Sequence, residues 1–152
     1  MSVSVEGTHG THEYLRYGHT WRKLTNNLKL VQDMKIKNLV LKINHVVQAP
    51  SYHSIIDMTH FFDSLGVEIH PIMLSSPKHF HISALTQHAK EKFLADTENY
   101  VGSNKEFINF VRNATRENIK QDKMLTADCI KHLEKFDMVR KNSYKDIIPI
   151  EN

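Results

Sequence analysis

Ser4, Glu6, Arg16 and Asn44 are the side chains whose types and spacing first suggest binding chemistry. A fixed guanidinium holds a carboxylate or phosphate through paired N–H bonds. Arg16 follows the first apolar–polar alternation closely, in the connection that crosses the C-terminal end of a sheet. The competing reading of Arg16 is a surface side chain paired with Glu13. Ser4 and Glu6 alternate with Val3 and Val5, so they share a face on which they can hold ribose hydroxyls or satisfy one another in a polar network. Lys42 and Asn44 fall on one face of a later alternation, and Glu68 and His70 on one face of a third. A Lys beside a Glu is either a structural ion pair or, in a cavity, a place for an anionic substrate.

The histidines raise the question of metal. His79 and His81 lie on one side of an extended segment, and His9 and His12 on an early loop. Zinc takes three or four ligands at recognised spacings, often with Cys or a helical His-Glu-x-x-His. Those patterns are absent, so the histidines read as scattered and no metal site is expected. Cys129 sits among Ile130 and Leu133 in an amphipathic stretch and reads as a small core residue. No Gly-rich phosphate loop, nucleophile elbow or Asp-rich calcium loop is present.

Bulk properties set wide bounds. At 152 residues the chain has the length of one domain. Its lysines and arginines are dispersed among acids, so the +3 charge does not indicate nucleic-acid binding. A single cysteine excludes an intrachain disulfide and fits a reducing compartment. No apolar run nears the roughly 20 residues of a membrane span, and the start lacks the basic and apolar regions of a signal peptide. A cytoplasmic protein with no membrane partner is expected.

The elements that must position these residues alternate over residues 1–85. A strand is expected over Ser2–Glu6, turning at Gly7. A helix follows over Trp21–Met34, capped by Thr20, with Trp21, Leu24, Leu28, Val31 and Met34 as its apolar stripe. A second strand runs Leu39–Val47, closed by Pro50. A second helix spans Ser54–Leu65, with Ser54 and Asp57 as a capping box and Gly66 at C′. A third strand covers Val67–Leu74. This order implies a parallel sheet. Such sheets are normally buried on both faces and nearly continuously apolar, yet each of these strands has a polar side. A curved sheet with helices outside and a polar concave surface inside accounts for that, with its site at the C-terminal ends of the strands. A doubly wound sheet is the alternative. Residues 86–152 read as a helical extension packed on that unit. It has one helix over 86–101, a second capped by Ser103 with Glu106, a third capped by Thr126, and an ordinary tail around Pro149.

The ordered series of motifs resembles the radical S-adenosylmethionine (radical SAM) proteins of the type with a C-terminal twitch or SPASM-like extension. Ser2-Val3-Ser4-Val5-Glu6-Gly7, then Glu13-Tyr14-Leu15-Arg16-Tyr17-Gly18, Trp21 and Asn26-Asn27-Leu28, is similar to that family's middle strand and the connection after it. The likeness continues through Leu41-Lys42-Ile43-Asn44, Leu65-Gly66, Ile72-Met73-Leu74 with Ser76-Pro77, and Ser83-Ala84-Leu85 before Lys90. It closes with Leu133-Glu134-Lys135-Phe136-Asp137-Met138-Val139-Arg140. The resemblance implies an α/β fold, the last three strands of a partial β/α barrel followed by a helical extension, with the first strand in the middle of the larger sheet. It also implies a cofactor set of S-adenosylmethionine and a [4Fe–4S] cluster. Ser4 and Glu6 would then lie near the ribose, Arg16 would face the cofactor's carboxylate, and Asn44 would line the next strand. Lys42, Glu68 and His70 would face the substrate. Two departures stand out. Glu6 replaces the usual Asp, and the three-cysteine loop that ligates the cluster is missing, as is a Gly-Gly-Glu-like motif.

Three functions compete at this point. The first is the C-terminal portion of a radical SAM enzyme, with a separate N-terminal half as partner supplying the cluster. The second is a non-catalytic remnant or partner-binding α/β module. The third is a small α/β domain that binds a phosphorylated or nucleotide ligand near Arg16.

Overall fold

A computed structural model describes residues 1–150; the last two residues of the expected extension lie outside it. The fold is mixed α/β around a three-stranded parallel sheet. In chain order the elements are β1 (Ser2–Ser4), α1 (His9–Leu15), α2 (Trp21–Asp33), β2 (Lys42–Val47), a 3₁₀ turn (Ala49–Ser54), α3 (Ile55–Ser64) and β3 (Glu68–Met73). Two short 3₁₀ turns then lead to α4 (Gln87–Asp96), α5 (Lys105–Glu117) and α6 (Lys123–Arg140).

The sheet order is β1-β2-β3, so within this chain β2 is central and β1 and β3 are the edges. Register aligns Ser2 with Lys42 and Glu68, and Ser4 with Asn44 and His70. Alternation therefore puts every polar residue singled out on these strands on one face, and none of them is buried. The other face carries Ile43, His45, Val47 and Ile69, all buried, and packs into a core with Met58 and Phe62 of α3 and Phe107, Ile108 and Val111 of α5. His45 sits edge-on to Phe107 with ring centroids 5.8 Å apart.

The strands are shorter than their sequence patterns suggest. Val5 N–H still donates to Asn44 C=O at 3.0 Å, but Gly7 then turns the chain at φ +128°. A Cβ there would meet Ser54 Oγ at 2.4 Å, so only glycine fits. β2 begins late because Asn38 adopts φ +64° and Leu39 N–H closes a turn onto Ile36.

The two outer margins of the sheet differ. Val5 N–H and Lys42 N–H bond across β1 and β2, so by alternation the Ser2 and Ser4 backbone groups point away from β2, where no strand of the described residues pairs with them. On β3, Leu74 N–H bonds toward β2, so Ile69, Pro71 and Met73 face outward. Ile69 N–H donates to Asn104 Oδ1 at 2.6 Å, and Asn104 Nδ2 donates to Val67 C=O at 3.0 Å. Pro71 has no N–H to offer.

Several expected caps are corrected. Thr20 does cap α2, its Oγ1 accepting from Lys23 N–H. Ser54 precedes α3 but donates its hydroxyl to Ser51 C=O at 2.8 Å instead of forming a box with Asp57. Asn104, not Ser103, stands at the N-cap position of α5 and makes no side-chain cap, while Ser103 Oγ is drawn to Asp63 at 2.7 Å. Asp122 caps α6 by accepting from Met124 and Leu125 N–H, while Thr126 lies inside the helix and reaches Ala84 C=O at 2.6 Å. The first helix of the extension stops at Asp96, short of residue 101. Met34, expected in the apolar stripe of α2, lies outside the helix and is exposed. The C-terminal segment is no loose tail either, since Tyr144, Ile148 and Ile150 are all buried. Long-range bonds then tie the helical part to the first elements. Tyr14 Oη on α1 donates to Asp137 Oδ1 at 2.7 Å, with Leu133 C=O at 3.1 Å.

Candidate functional site

The candidate site lies where β1 ends and the chain passes through α1 into α2. Glu6 follows β1 on the polar face and is buried. Arg16 sits just after α1, and its Nη2 reaches Glu6 Oε1 at 3.0 Å. Gln48, just past β2, donates from Nε2 to the other carboxylate oxygen at 3.2 Å. Both oxygens of Glu6 are thus engaged by protein. Arg16 does not pair with Glu13, whose Oε1 accepts from Trp21 N–H at 2.8 Å and helps begin α2.

Beneath this pair lies a residue that the sequence did not single out as functional. His12 on α1 is buried, and its Nδ1 accepts from Glu6 N–H at 3.4 Å. Trp21 packs against it with ring centroids 5.9 Å apart, and His19 approaches at 6.4 Å. Burial, then the Arg16 charge and His19, push His12 down to about 4, so it is neutral at pH 7. His12 Nε2 and Arg16 Nε are both buried and lack a hydrogen-bond partner among the described residues. The signal for His12 was its position one helical turn before Arg16, but sequence alone does not say which of many histidines is buried.

These groups line a cleft of about 400 Å³ whose walls also include Ser4, His19, Lys23 and Asn27. Among the described residues no carboxylate lines it. Chemically it offers donors and positive charge to an acceptor ligand. Ser4 opens directly into it, and Asn44 is the neighbour of Ser4 across the strands. Lys42 and Glu68 form an exposed ion pair at 2.9 Å one row away, and His70 stands exposed beside Asn44.

The remaining expected chemistry is elsewhere. His79 stacks flat on His132, with centroids 3.7 Å apart, and His81 Nδ1 meets Ser83 Oγ at 2.9 Å. Neither geometry points two imidazoles at one ion. Among the described residues no group of three or more His, Cys, Asp or Glu is placed to hold a metal. Cys129 is fully buried in α6, and burial pushes its thiol up to about 12. A [4Fe–4S] cluster needs several accessible thiolates, so the residues of this chain do not fit it. The cleft does fit a small anionic group, given its unpartnered donors and absence of acids. No helix of the described residues is long and apolar enough to cross a membrane.

Comparison with protein-family models, with curated proteins and with solved structures finds no match to this chain.

Proposed function

We propose that this chain is the C-terminal portion of a radical SAM enzyme, forming the cofactor- and substrate-facing wall of a partial β/α barrel whose cluster is held by another segment. The observation that carries this reading is the open sheet face. Parallel sheets are ordinarily covered on both faces, yet here Ser2, Ser4, Lys42, Asn44, Glu68 and His70 stand in two cross-strand rows with no buried member. A polar parallel face is what the inside of an incomplete barrel offers. Bound S-adenosylmethionine would supply the radical chemistry in such an enzyme. Arg16 and Lys23 would hold its carboxylate, and Ser4 with Asn44 would meet its ribose. Glu6 would act chiefly through Arg16, fixing the guanidinium at the cleft. Lys42, Glu68 and His70 would orient the substrate further round the sheet.

The test is co-expression of this chain with a polypeptide carrying the three-cysteine loop, purified without oxygen. The expected result is a stable complex that holds iron and sulfide and consumes S-adenosylmethionine under reduction. A complex that forms without a cluster, or a chain that never associates, would sink the reading.

The second reading is a non-catalytic partner-binding module. The unpaired outer margin of β1 favours it, because an open strand edge is a ready template for another chain. A complex that assembles through β1 but never binds S-adenosylmethionine would select it.

A further inference from the structure

The two orphaned nitrogens of the cleft have a defined chemical sense. Glu6 N–H donates to His12 Nδ1, so Nδ1 is the acceptor of that ring. A neutral imidazole with an accepting Nδ1 carries its proton on Nε2. The unpartnered Nε2 is therefore an N–H donor, and the unpartnered Nε of Arg16 can only donate. Buried donors in folded proteins are almost always satisfied, and an exception beside a cleft is a place for water or a ligand. Here the partner must be an acceptor.

The surroundings narrow its charge. Arg16 and Lys23 line the cleft, with His19 at its side. The nearby acids are turned elsewhere, Glu6 to Arg16 and Gln48, and Glu13 to Trp21 N–H. A neutral carbonyl would satisfy the donors but leave the Lys23 charge unanswered, since Arg16 is already paired with Glu6. An oxyanion does both.

We infer that this cleft is an oxyanion subsite, in which His12 Nε2–H and Arg16 Nε–H donate to a bound carboxylate or phosphate and Lys23 supplies further charge. His12 is then a ligand-binding donor rather than a core histidine. Its neutrality matters, since the tautomer is fixed by the Glu6 amide and does not depend on a proton from solvent. The subsite stands on these contacts whether or not the ligand bears an adenosyl group. The shared chemistry is the oxyanion, and its source is what the experiment separates.

The full chain labelled with ¹⁵N-histidine would be titrated with inorganic phosphate, with S-adenosylmethionine and, at matched ionic strength, with sodium chloride. The expected result is a saturable shift of the His12 Nε2 resonance with at least one of the first two and none with chloride. Arg16→Lys keeps the charge but loses Nε, and should weaken binding about tenfold, equivalent to about 1.4 kcal/mol. Lys23→Gln, on the exposed side of α2, should weaken it a few-fold without disturbing the fold. Binding of phosphate alone would support the subsite while removing S-adenosylmethionine as its occupant. Binding of S-adenosylmethionine alone would identify a carboxylate. No saturable shift with either, or wild-type affinity in both variants, would overturn the inference.

Discussion

Arg16 Nη2 lies 3.0 Å from Glu6 Oε1, joining the end of the first strand to the far end of the helix that follows it. The pair is asymmetric. Glu6 is largely shielded and has a second donor in Gln48, whereas Arg16 is partly open to the cleft and keeps Nε unsatisfied. The carboxylate is consumed in positioning the cation, and the cation has capacity left for a ligand.

Glu6→Gln should therefore act in opposite directions on stability and binding. It removes a charge-assisted bond in a shielded place and should cost about 1–3 kcal/mol in urea unfolding. It also releases Arg16 from its internal anion, so phosphate affinity should rise. A variant that lost stability and binding together would show that Glu6 positions Arg16 for the ligand more than it competes for it.

Tyr14→Phe tests the tie between the first helix and the last. Tyr14 Oη donates to Asp137, which also accepts from Tyr144 N–H, while Arg140 Nη1 donates to Tyr14 C=O. Removing the hydroxyl leaves a shielded carboxylate short of one donor. The expected loss is about 1–3 kcal/mol by denaturation, with faster hydrogen exchange at both α1 and α6.

The buried imidazoles predict an acid-sensitive fold. Burial holds His45 at about 4, against 6.5 when exposed, and its bond to Val5 C=O only partly offsets this. In this pH range the unfolded chain takes up the proton first. Stability is thus complete above about 6.5 and falls as pH drops toward 4, by on the order of 3 kcal/mol for His45. His12 adds a change of the same sign. Unfolding curves collected between pH 7.5 and 4.5 should show this slope. His45→Asn, whose amide can take the place of Nδ1 as donor to Val5 C=O, should flatten it.

Asn104→Ala should be among the costliest polar changes in the chain. One side chain serves Ile69 N–H and Val67 C=O, and also Asp63 Oδ1 at 2.8 Å. Its loss strands these groups and should cost about 3 kcal/mol. The Ile69 amide should lose its protection from hydrogen exchange at the same time.

Much of the framework was legible in the sequence, and the reason is periodicity. The alternation through Lys42, Ile43, Asn44 and His45, and again through Glu68, Ile69 and His70, fixed which side chains share a face, and the pairing register aligns them across strands. Caps were less legible because hydroxyls choose among nearby partners that only the fold supplies. Ser103 is taken by Asp63 from α3, and Thr126 by Ala84. The same limit hid the partner of Arg16. Glu13 was the near neighbour, but Trp21 N–H claims it and Glu6 is brought up by the turn at Gly7. His12 could not be separated from the other histidines, since only packing against Trp21 and the Glu6 amide distinguishes it.

The unlike margins of the sheet set a limit on self-association. With Asn104 and Pro71 blunting part of β3, Ser2 and Ser4 are the better template for strand addition among the described residues. Two copies that met there would consume both templates. Pairing through β1 therefore favours a closed pair, or one foreign strand, over an open-ended stack.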